Sequence, residues 1–286
     1  MSEYEKRGYL LENFRLFHLR TEQTQSVDFH YHEFCKLLLL ISGSGSYVVD
    51  GHRYQLQPGD AVLIGSRSVH RPEMDPEVPY ERVIIFISPE FLQRESTGDC
   101  GLLDCFFGQP GHVLRLKEPR RKKLFDMAEI LEQELNGEEY GRDIVSNAAL
   151  LRLLVQIGRY FRRSDVSSPL PEEPQNRRVQ ELMRYIDRHL EEDLDIDRLA
   201  DAFFISKYHM MRLFRKETGT TIYTYLCQRR LLHARELING GMRATEACYR
   251  SGFRSYSSFT RSYSKHFGMT PTGRVDAAHH RDESYE

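Results

Sequence analysis

Long apolar runs are missing from this chain. The longest aliphatic stretch, Leu37 to Ile41, is far too short to span a bilayer, and the opening residues, MSEYEKRGYLL, lack the apolar core of a secretory signal. Both absences predict a cytoplasmic protein with no membrane partner. Cysteine is sparse as well. Cys35, Cys100, Cys105, Cys227 and Cys248 form an odd, scattered set that predicts free thiols in a reducing compartment, with Cys100-x4-Cys105 offering only a weak redox or metal spacing. No nucleophile motif and no phosphate-loop motif is present, so the reading assigns no catalytic residue and no cofactor. Charge of one sign is not in excess either, since 40 Lys/Arg meet 42 Asp/Glu for a net of −2.

The distribution of that charge is uneven. From Phe204 to Val275 thirteen Lys/Arg stand against three acids, a local +10 that leaves −12 for the remainder. Basic segregation of this kind is the footprint of a phosphate-binding surface. The acidic stretch Asp187 to Asp201 is expected to face away from nucleic acid. With 286 residues the chain has room for two or three compact units. The polar, proline-bearing Ser164 to Gln175 reads as a linker between residues 1–163 and 176–275, and 276–286 reads as a disordered tail.

Within the basic segment a pattern occurs twice, 49 positions apart. Ser206, Arg212, Lys216, Gly219 and Thr221 fall opposite Ser255, Arg261, Lys265, Gly268 and Thr270, with Phe214 opposite Tyr263. In the first copy Ile196, Leu199, Ala200 and Phe203 recur at helical spacing, Phe204-Ile205 makes a turn, and Ser206 caps a second helix whose buried stripe is Met210, Leu213 and Phe214. Its outward face is Lys207, Tyr208, Met211, Arg212 and Arg215. The second copy runs Ala244, Ala247 and Cys248, a Gly252-Phe253 turn, Ser255 as cap, then Phe259, Ser262 and Tyr263 inward. Tyr256, Ser257, Thr260 and Arg261 face out. Gly219 and Gly268 stand where each helix ends. Each copy is a helix-turn-helix unit, and Ile222 to Ile238 reads as one continuous helix between them.

Ile205-Ser206-Lys207-Tyr208-His209, the run Leu213 to Gly219, Gly252-Phe253 and Phe267 to Pro271 resemble the AraC/XylS family of bacterial transcription regulators. The likeness covers about a hundred residues. It implies a DNA-binding domain of two helix-turn-helix subdomains inserted into consecutive major grooves, with Tyr208, Met211 and Arg212 in the first unit and Tyr256, Ser257, Thr260 and Arg261 in the second as base-reading positions. It also implies promoter DNA and RNA polymerase as partners, and activation as the output. Ala247-Cys248 and Thr272-Gly273-Arg274 depart from the family pattern.

From about Phe14 to Ile87 the pattern changes to short β-branched and aromatic runs separated by Gly43-Ser44-Gly45, Asp50-Gly51 and Pro58-Gly59-Asp60. These describe a small antiparallel barrel or sandwich. His30-x-His32, Gly45, Pro58-Gly59-Asp60 and His70 resemble the two motifs of the cupin barrel, which is also the usual N-terminal domain of that regulator family. The fold class is therefore α+β: an N-terminal cupin-like antiparallel β-barrel over about 14–115 with helices over about 118–163, and a C-terminal all-α domain. In a strand His30 and His32 share a face, the spacing that lets two imidazoles hold a metal. Metal-binding cupins add a glutamate four or five residues on, where this chain has Lys36 and Leu37, and an ammonium opposes a cation. No metal is therefore expected at these residues. His30, His32, Lys36 and His70 are assigned to a small-molecule effector such as a sugar, with plain structural histidines as the alternative; a Lys36 that points into the barrel makes the pocket electropositive and favours an acidic or phosphorylated metabolite. The segment Met1 to Arg20 is a candidate cover for that pocket.

Two helices are expected over Arg120 to Leu135 and Ile144 to Arg162. The second carries Ala148, Leu151, Val155 and Tyr160, with Leu150, Leu154 and Ile157, along a broad apolar face that predicts a partner surface, and the family resemblance implies that this partner is a second copy in a homodimer. The rival reading is a metal-dependent cupin enzyme carrying a DNA-binding appendage.

Overall fold

In the computed structural model every residue from Cys35 to Leu40 is buried, which requires cover on both faces of that strand. The structure describes residues 5–6, 8, 10–23, 27–98, 100–107, 112–163, 176–267 and 269–273. The expected linker and tail, together with Gly268 and Arg274, lie outside the described residues. The chain divides into two compact units, Met1–Glu172 and Glu173–Glu286.

The first unit contains β1 (Glu5–Lys6), β2 (Phe14–Thr21), β3 (His30–Tyr31), β4 (Cys35–Ser42), β5 (Gly45–Val49), β6 (His52–Leu56), β7 (Asp60–Ile64), β8 (His70–Met74), β9 (Tyr80–Ile87), α1 (Pro89–Arg94), α2 (Asp104–Phe107), β10 (Val113–Arg115), α3 (Arg120–Asn136) and α4 (Arg142–Phe161). Its strands form two five-stranded sheets, β1-β3-β8-β5-β6 and β10-β7-β4-β9-β2. The expected barrel is thus an open sandwich. Strands of eight residues in the second sheet face strands of two to five in the first, and the edges are too unequal to pair around a closed ring. Asp50-Gly51 makes the predicted two-residue hairpin turn, both residues having positive φ.

Side-chain alternation divides β4 between two interiors. Leu38 and Leu40 join Tyr47, Val49, Tyr54, Leu56, Val62, Ile64 and Ile84 in the core between the sheets. Leu37 and Leu39 point to the opposite face, which is also buried. On that side α2 contacts both β7 and α4, and α3 lies along α4. The apolar face expected on α4 splits in two. Leu150, Leu153, Leu154, Ile157 and Tyr160 are buried within the unit, whereas Ile144, Val145 and Ala148 are exposed, and Leu151 and Val155 are half-buried.

Within the segment proposed as a cover, two stretches among the described residues are paired in sheets. Phe14–Thr21 is an edge strand paired along its whole length with β9, and Glu5–Lys6 runs beside His30–Tyr31.

The second unit contains α5 (Arg177–Arg188), α6 (Ile196–Ala202), α7 (Lys207–Thr218), α8 (Ile222–Asn239), α9 (Ala244–Arg250) and α10 (Tyr256–Phe267). Val179, Leu182, Met183 and Ile186 of α5 close a first core with Leu199, Met210, Phe214, Ile222, Tyr225 and Leu226. Further along α8, Leu231 and Ala234 are buried, and the helix packs there against α9 and α10, whose buried residues include Ala247, Cys248, Phe259, Tyr263 and Phe267. The departure at Ala247-Cys248 is absorbed, since both residues are fully buried and cysteine packs as a small hydrophobe. At about 1.5 Å per residue the 18 residues of α8 span roughly 27 Å.

Candidate DNA interface and effector pocket

Ser206 accepts the His209 amide at 3.4 Å and so starts α7 as expected, and Gly219 ends it at φ 72. Ser255 accepts the Ser258 amide at 3.4 Å at the start of α10. On α7, Tyr208 is 74% and Met211 38% exposed, and Arg212 is also exposed. Ser257 and Arg261 are exposed on α10.

Three positions depart from the expected outward face. Arg215 is only half-exposed, at the flank of α7. Tyr256 is half-buried with its ring 6.0 Å from Phe259. The Thr260 hydroxyl is turned inward, where it has no hydrogen-bond partner among the described residues. Ser264 rather than Ser262 fills the core, one further turn along the Thr260 side.

Phe204, read from sequence only as turn, is 94% exposed at φ 51. A bulky residue rarely holds that left-handed conformation. It stands two residues before the α7 cap.

The acidic segment is not a passive outer face. Asp187 receives Arg229 Nε at 2.7 Å, Asp197 receives Lys207 Nζ at 3.0 Å, and Asp193 pairs with Arg254. Asp197 holds the Lys207 ammonium above its usual range, through a hydrogen bond and its charge. Part of the local +10 is therefore spent inside the unit, while Arg212, Lys216, Arg243, Arg250, Arg261 and Lys265 remain exposed. The exposed pairs Asp197–Lys207 and Asp193–Arg254 contribute little to stability.

A backbone clasp, with no signature in the sequence, joins the two helix-turn-helix units. Arg230 on α8 donates from Nε to the Leu190 carbonyl at 2.8 Å and from Nη2 to the Glu192 carbonyl at 2.7 Å. Gly252, at φ 88, sits so close that a Cβ there would lie 2.0 Å from Leu190 O. A cleft of about 360 Å³ adjoins this clasp. Its Glu191, Glu192 and Asp193 wall has the sign of DNA phosphate, so it is no phosphate groove.

In the first unit the structure brings together all four residues assigned to the effector. His30 pairs in register with His70 across β3 and β8, their ring centroids 4.4 Å apart, and His32 lies 4.7 Å from His70. Lys36 shares side-chain parity with Leu38 and Leu40 and so enters the sandwich, where its Nζ donates to Tyr47 Oη at 2.9 Å. Arg82 and Phe86 share parity with Ile84 on β9 and face the same interior. The same alternation makes Tyr47, Arg82 and Phe86 legible in sequence once Lys36 is placed.

Each histidine is oriented by a backbone carbonyl. Nδ1–H donates to Asp28 O at 2.9 Å from His30, to Phe34 O at 2.7 Å from His32, and to Ser68 O at 2.9 Å from His70. A carbonyl can only accept, so in the neutral rings Nε2 carries a lone pair. For His32 and His70 that nitrogen is buried without a hydrogen-bond partner among the described residues. Burial holds both rings well below the usual histidine range, helped at His32 by the Lys36 charge and at His70 by His32 and Lys36. Burial, with Arg82 nearby, brings Lys36 down to about 8, and burial pushes the Tyr47 hydroxyl up. His32 and His70 are therefore neutral, and the positive character expected of the pocket rests on Lys36 and Arg82.

No group of three or more His, Cys, Asp or Glu among the described residues is disposed to hold a metal. Cys100 and Cys105 are free thiols, and burial pushes Cys105 up to about 12, far from a reactive thiolate. No helix among the described residues is long and apolar enough to cross a membrane.

A family model for an AraC-like ligand binding domain matches residues 16–154, and one for a helix-turn-helix domain matches residues 199–273. The chain is similar to the HTH-type transcriptional activator RhaR of Yersinia pseudotuberculosis, 25% identical over 243 residues that cover 85% of this chain and 82% of that one. It is also similar to the uncharacterized HTH-type transcriptional regulator YbfI of Bacillus subtilis, 24% identical over 231 residues covering 80% and 79%. Among solved structures, ToxT from Vibrio cholerae aligns over 91% of this chain and 96% of its own, with 11% identity and a TM-score of 0.37.

Proposed function

This chain belongs to the AraC/XylS family of transcription regulators, and from that premise we propose that α7 and α10 enter successive major grooves of a promoter. It is a DNA-binding regulator with a ligand-binding domain and not an enzyme, and the cupin-enzyme alternative falls with the alignment to regulators along 85% of its length. Tyr208, Met211 and Arg212 on α7, and Ser257 and Arg261 on α10, are the proposed base contacts. Tyr256 and Thr260 complete the second set after side-chain rotation, and Lys207 and Arg215 hold phosphate. The observation that carries this reading is the pair of capped helices with exposed arginines at matching turns, joined by one helix of roughly 27 Å, against about 34 Å between successive major grooves on one face.

An effector held among His30, His32, Lys36 and His70 shifts the balance between DNA-competent and incompetent states by binding one more tightly than the other. The β1 segment beside His30 covers it. The remaining parts of the proposal are activation through RNA polymerase, a homodimer formed through the outward half of α4, and a cytoplasmic location.

The test is a footprint of the full-length protein on DNA selected from random sequence, at fixed salt because phosphate contacts make affinity salt-dependent. Two protected major-groove segments one helical turn apart are expected. Protection of a single groove rejects two-headed reading.

A further inference from the structure

We propose that the effector is a hydroxy acid: a small carboxylate that also carries hydroxyl groups, with its carboxylate on Lys36 and a hydroxyl on His32 and His70. The inference rests on the effector reading above and names the chemistry of that same pocket.

Lys36 is a buried cation, and no carboxylate among the described residues pairs with it. Its one hydrogen bond goes to the neutral Tyr47 hydroxyl, which leaves two N–H donors. The groups facing it among the described residues are Tyr47, His32, His70 and Arg82, none of them acidic. A buried charge without a counter-ion is costly, and a ligand carboxylate supplies that counter-ion.

Beside it the histidines ask for the opposite partner. The Nδ1–H bonds to Phe34 O and Ser68 O leave lone pairs on His32 Nε2 and His70 Nε2, both almost fully buried. A lone pair calls for a donor. Tyr47 connects the two demands, because its hydroxyl takes Lys36 while its ring lies nearly parallel to His70 with centroids 6.0 Å apart. Phe34, stacked on His32 at 4.1 Å, and Phe86 offer apolar surface for a carbon skeleton.

Each simpler ligand satisfies one half. A plain carboxylate or a fully ionised phosphate meets Lys36 but sets acceptor oxygens against two lone pairs. A neutral polyol meets the histidines but leaves the ammonium without a counter-charge. A divalent cation meets the histidines and is repelled by Lys36. A hydroxy acid meets both.

The test uses the full-length protein and matched triples of probes followed by thermal shift and titration calorimetry. The triples are glycerate, glycerol and propanoate; threonate, threitol and butanoate; and gluconate, glucitol and hexanoate. In at least one triple the hydroxy acid is expected to bind ten-fold or more tighter than both companions. Lys36→Met is expected to raise the melting temperature without ligand and to abolish that preference, and His70→Asn to weaken the hydroxy acid ten-fold. Should Lys36→Met fail to fold, Lys36→Gln carries the comparison.

The proposal is overturned if a polyol or plain carboxylate matches its hydroxy acid, or if zinc binds in a His70-dependent way and no hydroxy acid does. A flat panel also overturns it. If a metabolite extract then still raises the melting temperature of the native protein but not of His70→Asn, the class alone has failed. If the extract has no effect, the effector reading fails with it.

Discussion

Arg212 and Arg261 stand on matching turns of two capped helices, both exposed. On the proposed reading each holds a guanine edge, so Arg212→Ala or Arg261→Ala relaxes base preference at one operator position by about 1 to 3 kcal/mol. Binding to a panel of single-base operator variants measures this. Equal weakening on every sequence identifies a phosphate contact instead. At the other end of the chain, His32 and His70 are neutral in the folded state because burial depresses them below the ordinary 6.5. Unfolding releases them to take up protons, so the stability from these two groups is complete above pH 6.5 and declines as pH falls below it. Each adds a slope of about 1.4 kcal/mol per pH unit until its folded ring titrates. Lys36, lowered from 10.5 to about 8, gives stability that rises with pH between those values. Melting curves between pH 8 and 4.5 are expected to fall more steeply for the native protein than for His70→Phe.

The elements differ in how much of them is legible in the sequence. Both helix-turn-helix units follow from local chemistry: a serine at each start, a glycine at the end of α7, and apolar residues every three or four positions between. The strands from β4 to β7 are equally local, set off by Asp-Gly and Pro-Gly-Asp turns. Neither β2 nor β8 has such a signal. In β2 charged and apolar residues mix because an edge strand shows one face to water, and β8 carries Pro72 at a position where only β5 pairs with it. α5 was hidden by its high charge, although its apolar stripe closes the first core. The clustering of His30, His32, Lys36 and His70 is legible by strand parity, but its hydrogen-bond polarity is not, because that depends on carbonyls brought up by the chain near each histidine. The clasp was invisible for a similar reason: Arg230 and Gly252 meet backbone carbonyls some forty to sixty residues away. Gly252→Ala is expected to part that contact, since a Cβ 2.0 Å from a carbonyl oxygen cannot be accommodated. Affinity for a two-box operator should fall ten-fold or more while binding to a single box persists. Equal loss on both would mean that the substitution unfolds the unit.

For the whole molecule, the outward half of α4 is the surface through which the homodimer is proposed. Ile144 and Val145 are exposed and Leu151 half-buried, although Leu150, Leu153 and Leu154 are consumed by the unit's own packing. Leu151→Glu is expected to convert a sedimenting dimer to monomer without lowering the melting temperature by more than about 1 kcal/mol equivalent, as for a surface change. An unchanged sedimentation profile rejects the α4 interface. The hold of Arg230 and Gly252 on the 190–192 backbone has a consequence for the genome as well as for the protein. On the proposed two-groove reading, heads held by this contact meet their boxes in one helical phase. A single inserted base pair turns one box by about 34° and moves it about 3.4 Å along the axis. Promoters under this regulator should therefore diverge by exchanging letters within each box while the interval between boxes stays constant.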